Sequence, residues 1–164
     1  MYKGIPMNNK SFKTILYASD LGKNSKSAFE IALNLASTTS ASLLFMHVVN
    51  NTLIEEDEAI DSYISDALFK KIKKSKLDIA AEKIEKRLIG TQHECPELYD
   101  SVSIETLVTE GRATSQILKL AEYKKADLII MGSRTHTSIG GLLIGSTASK
   151  VMQQSKIPVM VIPL

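Results

Sequence analysis

Residues 13–49 read KTILYASDLGKNSKSAFEIALNLASTTSASLLFMHVV and contain the pattern that decides the fold. Residues 13–19 form a short apolar run that ends at a polar turn, which is typical of a buried strand. Apolar residues then recur every three or four positions after an N-cap at Asn24 or Ser25, which predicts an amphipathic helix. Residues 42–49 are apolar on both alternating faces, as in a central parallel strand. The stretch therefore predicts a β–α–β unit.

The rest of the chain continues this alternation. Residues 55–88 are charged and helical, but their two apolar stripes are out of phase, which predicts a kink or break near residues 73–76. Residues 90–100 are rich in turn formers. Further strands are expected at 102–108, 127–131 and 157–162, and further helices at 113–123 and 145–154. Together they predict one α/β domain: an open, doubly wound, five-stranded parallel sheet with helices on both faces.

Composition excludes several classes of protein. The 164 residues carry 20 basic and 18 acidic side chains, a net charge of +2, so no global field recruits nucleic acid or anionic lipid. The basic run at 70–76 is flanked by acidic residues, which favours a solvated helix face over a nucleic-acid site. Cys95 is the single cysteine, and a free thiol suits it better than a zinc site. No apolar run approaches the roughly 20 residues of a membrane span, so we expect a soluble, cytoplasmic protein without a membrane partner.

Two polar segments are expected at one edge of the sheet. Residues 131–147, MGSRTHTSIGGLLIGST, lead from the fourth strand into a helix whose free N–H groups suit a phosphate. Asp20 ends the first strand, which neighbours the fourth where strand order reverses, and its carboxylate can accept hydrogen bonds from a ribose or an adenine amino group. Together they suggest a nucleotide. The alternatives are a turn carboxylate at Asp20 and a plain connection whose helix is capped by Ser146 or Thr147.

Known phosphate motifs and catalytic groups do not fit this loop. Residues 140–147 have the spacing of a P-loop, but Ser146 stands at the lysine position, and no Gly-x-Gly-x-x-Gly follows the first strand. The loop contains no carboxylate to activate water or hold magnesium, which leaves only Arg134 and His136 as candidates. We therefore expect no enzyme, or at most slow ATP hydrolysis or self-modification.

The loop resembles a known family pattern. Gly132, Thr135 and the Gly145-Ser146 pair resemble the universal stress protein motif Gly-x2-Gly-x9-Gly-[Ser/Thr]. The resemblance covers nearly all of residues 12–164, with matching segments at 15–20, 44–48, 110–111 and 157–162, and leaves 1–11 as a flexible N-terminal tail. It implies the adenine nucleotide alpha hydrolase-like fold, which is commonly dimeric. One branch of the family binds ATP or AMP, and another binds neither.

The resemblance also implies a set of nucleotide-binding positions. They are Ala18, Ser19 and Asp20 at the adenosine, Val48 at the adenine edge through its backbone, Met131 and Gly132 beside the ribose, Arg134 and Thr135 in the loop, and Gly145, Ser146 and Thr147 at the phosphate. The implied ligand is AMP or ATP, with Mg²⁺ accompanying ATP.

Thr135 departs from the family motif. A glycine there can adopt positive φ, whereas a β-branched threonine does so only at high cost. The loop must therefore run differently, or the threonine hydroxyl must replace a backbone contact, which favours an AMP-sized ligand over a full triphosphate. Two hypotheses follow: a nucleotide-responsive stress-adaptation protein, and a dimeric interaction module of the same family that binds no nucleotide.

The last strand predicts how two copies associate. Val159, Met160, Val161 and Ile162 place apolar side chains on both faces of a strand, and an edge strand leaves an open row of backbone groups. Antiparallel pairing across a two-fold axis would satisfy that row. The alternative is an edge covered by the N-terminal tail, and the resemblance favours the homodimer.

Overall fold

The computed structural model describes residues 11–50, 66–133 and 144–164. Strands and helices alternate along the described chain. In order they are β1 (Thr14–Ser19), α1 (Ser25–Thr39), β2 (Ser42–Val49), α2 (Asp66–Glu94), α3 (Pro96–Asp100), β3 (Ile104–Glu110), α4 (Ala113–Tyr123), β4 (Leu128–Ser133), α5 (Ser146–Gln154) and β5 (Val159–Pro163).

The five strands form one parallel sheet in the order β3-β2-β1-β4-β5. The chain steps outward from β1 to β3, returns to the other side of β1, and continues through β4 to β5. Strand order therefore reverses between β1 and β4, as the sequence predicts. The five-stranded parallel α/β fold is confirmed, and β5 lies at an edge of the sheet.

Alternate residues of the central strands pack into two separate cores. On one face, Tyr17 and Phe45 pack with Phe29 of α1, with ring centroids 5.0 to 5.7 Å apart. On the other face, Leu16 belongs to a cluster that includes Val151 of α5 and residues of α4. Because both faces are covered by helices, the strands carry continuous apolar runs rather than alternating ones.

The predicted interruption near residues 73–76 is wrong. Helix α2 runs without a break from Asp66 to Glu94, and its buried positions Ala80, Ile84 and Thr91 follow helical spacing. A change in the phase of apolar positions does not require broken hydrogen bonds, because a helix can present different faces to the core along its length. Residues 55–65 of the predicted helical stretch lie outside the described residues.

The predicted turn-rich stretch at 90–100 is also wrong, because most of it is helical. Helix α2 continues through Gly90 to Glu94, and α3 follows at once. Gly90 faces open space, and a glycine inside a helix costs only about 1 kcal/mol relative to alanine. Pro96 stands in the first turn of α3, where its missing N–H breaks no helical bond. The intervening Cys95 is an exposed free thiol, as expected.

Candidate functional site

A cleft of about 510 Å³ opens at the carboxyl end of the sheet, where strand order reverses. Every described member of the predicted nucleotide-binding set lines this cleft. These residues are Ala18, Ser19, Asp20, Val48, Met131, Gly132, Gly145, Ser146 and Thr147. Arg134 and Thr135 lie outside the described residues. The structure thus brings the predicted residues together, while their binding role stays a prediction.

The cleft exists because β1 ends before its two neighbours. Pairing of β1 with β2 stops at Ser19 opposite His47, whereas β2 continues against β3 to Val49 opposite Glu110. On the other side, pairing of β1 with β4 stops at Met131, whereas β4 continues against β5 to Ser133. The two neighbouring strands therefore project beyond β1 and leave a notch above its last residue.

A tight turn ends β1 and directs Asp20 toward this notch. Oδ1 of Asp20 accepts the Gly22 N–H at 2.8 Å, and Oγ of Ser19 accepts the Leu21 N–H at 3.1 Å. Leu21 has a φ of 57°, which turns the chain away from the strand direction. Asp20 is thus a turn carboxylate, the alternative that its position suggests, and it is also an exposed group at the cleft.

The same turn leaves the Val48 carbonyl facing the notch. The Ser42 N–H donates to the Lys13 carbonyl, so even-numbered residues of β2 direct their backbone groups toward β1. In this register the donor to the Val48 carbonyl would be the N–H of Leu21, which bonds the Ser19 hydroxyl instead. The Val48 carbonyl is therefore an acceptor that the β1 ladder does not use, at the place where the resemblance puts an adenine edge.

His47 lines the cleft through a contact that the sequence does not reveal. Its Nδ1 lies 2.8 Å from the Ser19 carbonyl, which can only accept, so Nδ1 donates a hydrogen bond to it. His47 is half-buried and hydrogen-bonded beside the cleft. Its ring fixes the end of β1 to β2.

The far side of the cleft is the N-terminus of α5. Gly145 is the N-cap and makes no side-chain cap, so Ser146 and Thr147 belong to the first turn rather than capping the helix, as the alternative of a plain connection would have them. Glycine has no side-chain oxygen to accept the first-turn N–H groups, which have no partner within the helix. These donors and the positive end of the helix dipole suit an anion in the cleft.

Gly132 has a packing role besides its place in the cleft. A Cβ added at this residue would overlap the side chain of Leu164, which also lines the cleft. The missing side chain therefore lets Leu164 lie across the end of β4. The family motif implies only that Gly132 contacts the ligand. The structure shows in addition that a side chain at this position would overlap Leu164.

The cleft is also lined by residues that were not predicted from the sequence. They are Tyr17, Ser25, Met46, His47, Val49, Asn50, Ala113, Ile117, Ala148 and Leu164. Asn50 could have been found, because it is the polar residue after β2 just as Asp20 follows β1. The others depend on packing between distant segments and leave no local signal.

Within residues 11–50, 66–133 and 144–164, no three His, Cys, Asp or Glu side chains form a group that could hold a metal ion. Among the helices of those same ranges, none combines the length and apolar character needed to cross a membrane.

Comparison with known proteins identifies the family. The sequence model of the Universal stress protein family matches residues 11–163, nearly the whole chain. The chain belongs to the universal stress protein family. The resemblance of the Gly132-to-Ser146 motif is thereby confirmed. The predicted boundary between a tail at 1–11 and a domain at 12–164 stays a prediction, because residues 1–10 lie outside the described ranges.

Individual family members match this chain over nearly the whole length of both proteins. A universal stress protein of Thermus aquaticus, encoded in the QAH/OAS sulfhydrylase 3′ region, is 31% identical over 154 residues, which cover 92% of this chain and 98% of the relative. The solved structure of UspA from Lactobacillus plantarum is 25% identical with a TM-score of 0.68, covering 94% of this chain and 99% of that one.

A second solved structure, a universal stress protein of Archaeoglobus fulgidus in complex with dAMP, shares the fold. Its TM-score is 0.54 at 17% identity, covering 93% of this chain and 98% of that one. The architecture is thus retained by proteins whose sequences have diverged widely.

Proposed function

We propose that this universal stress protein binds an adenine nucleotide in the cleft above β1 and acts as a dimeric, nucleotide-responsive protein of stress adaptation. One observation carries the proposal. A backbone acceptor at Val48, a carboxylate at Asp20 and the N-terminus of α5 border the same cleft. An adenine, a ribose and a phosphate need those three kinds of group.

The proposed base half of the cleft combines apolar walls with a backbone acceptor at Val48. Ala18, Met46 and Met131 supply apolar surface against which a flat ring can pack. The Val48 carbonyl would accept a hydrogen bond from the exocyclic amino group of adenine. Guanine presents a carbonyl at the corresponding position, so the same acceptor would disfavour it.

The phosphate half consists of backbone donors rather than charged side chains. The first turn of α5, at Ser146 and Thr147, offers N–H groups and a positive dipole end. These groups can neutralise part of one phosphate. Asp20 is the only carboxylate side chain among the described lining residues, so a Mg²⁺ ion would depend mainly on the phosphates of ATP for its ligands. The described part of the cleft therefore supports the proposal of an AMP-sized ligand.

Size and relatives are consistent with this ligand. A volume of about 510 Å³ lies within the range of roughly 300–1,000 Å³ that is typical of small-molecule sites. The Archaeoglobus fulgidus relative of the same fold was solved with dAMP, an adenine mononucleotide. We propose binding rather than fast catalysis, because Asp20 is the one carboxylate side chain of the described lining, which therefore offers no magnesium-binding carboxylate pair.

The proposed dimer forms through β5. This strand is a sheet edge, and its Met160 is an exposed large apolar side chain, at 38% of its surface. Backbone groups of Val159 and Val161 point away from β4, because the Ile129 N–H bonds the Pro158 carbonyl and thus fixes the alternation. Antiparallel pairing of two β5 strands would bury this edge.

Two measurements test the ligand. Freshly purified protein is denatured, and any released nucleotide is identified by mass spectrometry. The melting temperature is then titrated with AMP, ATP, GMP and adenosine, because a ligand that binds only the native state must raise it. We expect shifts with AMP and ATP that exceed the shift with GMP. No released nucleotide and no shift at millimolar AMP or ATP would favour the interaction module that binds no nucleotide.

A further inference from the structure

Arg87 of α2 reaches the turn that carries Asp20, although no described α2 side chain lines the cleft. Nη1 of Arg87 donates to Oγ of Ser25 at 2.7 Å, and Nη2 donates to the Gly22 carbonyl at 3.2 Å. One planar guanidinium thus holds the end of the turn and the first residue of α1 together. A lysine could not reproduce this fork, because its ammonium is a single point of donation.

The contact belongs to a network that is anchored in the core. Oγ of Ser25 donates to the Gly22 carbonyl at 2.7 Å, and the Tyr17 hydroxyl donates to the Ser25 carbonyl at 2.8 Å. Ser25 is only 2% exposed and Tyr17 is fully buried. Burial raises the pKa of Tyr17, which therefore remains a neutral donor at physiological pH. Arg87 consequently connects the outer helix α2 to the central strand β1 through the turn.

The turn needs such support. Leu21 adopts a left-handed conformation, with a φ of 57°, that is unfavourable for a residue other than glycine. The hydrogen bonds within the turn itself are short-range: Gly22 N–H to Asp20, Leu21 N–H to Ser19, and Ser25 N–H to the Gly22 carbonyl at 3.2 Å. The Gly22 carbonyl also accepts the Oγ–H of Ser25, and Nη2 of Arg87 adds a restraint on it from a different helix. Because Asp20 precedes the strained residue directly, any loosening of Gly22 moves the carboxylate.

We propose that Arg87 is a positioning residue of the nucleotide cleft: it touches no ligand, and it holds the β1–α1 turn so that Asp20 and the Val48 carbonyl stay presented to the adenosine. This role rests on the proposed function. It assigns to α2 a part in ligand affinity that the lining of the cleft does not reveal.

The test compares two contacts between α1 and α2. Arg87→Met keeps the aliphatic stem and removes both donors to the turn. The control Lys26→Met removes the ion pair of Lys26 with Glu94, which joins the same helices at 2.5 Å without touching the turn. Hydrogen exchange of the Leu21 and Gly22 amides is measured in ligand-free protein, and AMP affinity is measured by calorimetry.

We expect Arg87→Met to increase the exchange rate of the Leu21 and Gly22 amides by roughly tenfold and to raise the Kd for AMP by a similar factor. Lys26→Met should change both values less than about twofold. Arg87→Lys should recover only part of the affinity. If Arg87→Met does not fold, Arg87→Lys and Ser25→Ala serve as the test variants and should show the same paired effects in smaller size.

A double-mutant cycle separates positioning from general stability. In an Asp20→Ala background, Arg87→Met should raise the Kd for AMP by less than about threefold, because the side chain that the turn carries is already gone and the Val48 carbonyl is held mainly by β2. The proposal is overturned if Arg87→Met still weakens AMP binding tenfold in the Asp20→Ala background. It is also overturned if the hydrogen exchange of the turn amides is unchanged in Arg87→Met. Faster exchange with unchanged AMP affinity also overturns it. A wild-type protein that binds no AMP or ATP instead refutes the proposed function itself, and the exchange data distinguish the two failures.

Discussion

Gly145→Asp is the perturbation that isolates the phosphate half of the cleft. Gly145 has φ −55° and ψ 151°, which any L-residue can adopt, and it is the N-cap of α5. Aspartate is a preferred N-cap, so the substitution should leave the free protein intact or stabilise it by a few tenths of a kcal/mol. The new carboxylate would then occupy the donors that a phosphate needs.

The magnitude follows from the charge and the geometry. Like charges about 5 Å apart repel by about 3 kcal/mol at an effective dielectric constant of about 20, which is roughly a hundredfold loss of affinity. For the wild type, AMP at about 100 times its Kd raises the free energy of unfolding by about 2.7 kcal/mol, which raises the melting temperature of a domain of this size by about 5–10 °C. The same AMP concentration should shift Gly145→Asp by only about 1 °C.

The assay is a thermal titration with AMP and with adenosine. Adenosine has no phosphate, so its smaller shift should survive in Gly145→Asp. The matched control is Gly90→Asp, which adds the same charge inside α2 at a position that faces open space. It should keep the AMP shift of the wild type. An AMP shift in Gly145→Asp equal to that of the wild type would refute phosphate binding at the N-terminus of α5.

Three further predictions concern stability and assembly. Because burial raises the pKa of Tyr17, its stabilising contribution is complete below its unfolded pKa of about 10 and is lost as the pH rises through the higher folded value. In urea unfolding at pH 7, Tyr17→Phe should lower the free energy of unfolding by about 1 kcal/mol. Above pH 10, the free energy of unfolding should fall less steeply with pH in this variant than in the wild type, and an equal slope would contradict this. Gly132→Ala should destabilise the protein by about 1–3 kcal/mol because the new Cβ overlaps Leu164, and Leu164→Ala should restore most of that loss in the double variant. Val161→Pro removes an outward N–H from the β5 edge and should yield a folded monomer in light scattering, whereas Val161→Ala should remain dimeric; a dimer in both variants would refute pairing through β5.

The fold could be predicted because its decisive signals are local. The run at residues 13–19 and the run at 42–49 each have the length and apolar content of a buried strand, and helical spacing appears between them. Parallel strands joined by helices leave few arrangements, so a doubly wound sheet with β1 beside β4 follows. The family motif then marked positions that lie at the carboxyl ends of those strands.

The errors arose where local signals conflict with tertiary structure. Residues 90–100 contain Gly90 and Pro96, which predict turns, but a helix tolerates a glycine in open space and a proline in its first turn. The phase change near 73–76 predicted a break, but backbone hydrogen bonds depend on φ and ψ and not on which face is apolar. Arg87 gave no sequence signal, because nothing within α2 indicates that its side chain reaches the Gly22 carbonyl.

The most informative feature of the cleft could not be predicted from the sequence, because it depends on the relative lengths of three strands. The sequence shows where β1 meets a polar turn, but not that β2 and β4 continue beyond it. The left-handed Leu21 turn withdraws one N–H from the ladder and gives it to Ser19. That single diverted donor leaves the Val48 carbonyl facing the notch. A ligand that donates a hydrogen bond at this point would complete the ladder that β1 leaves unfinished, as the amino group of the proposed adenine would and a guanine carbonyl would not.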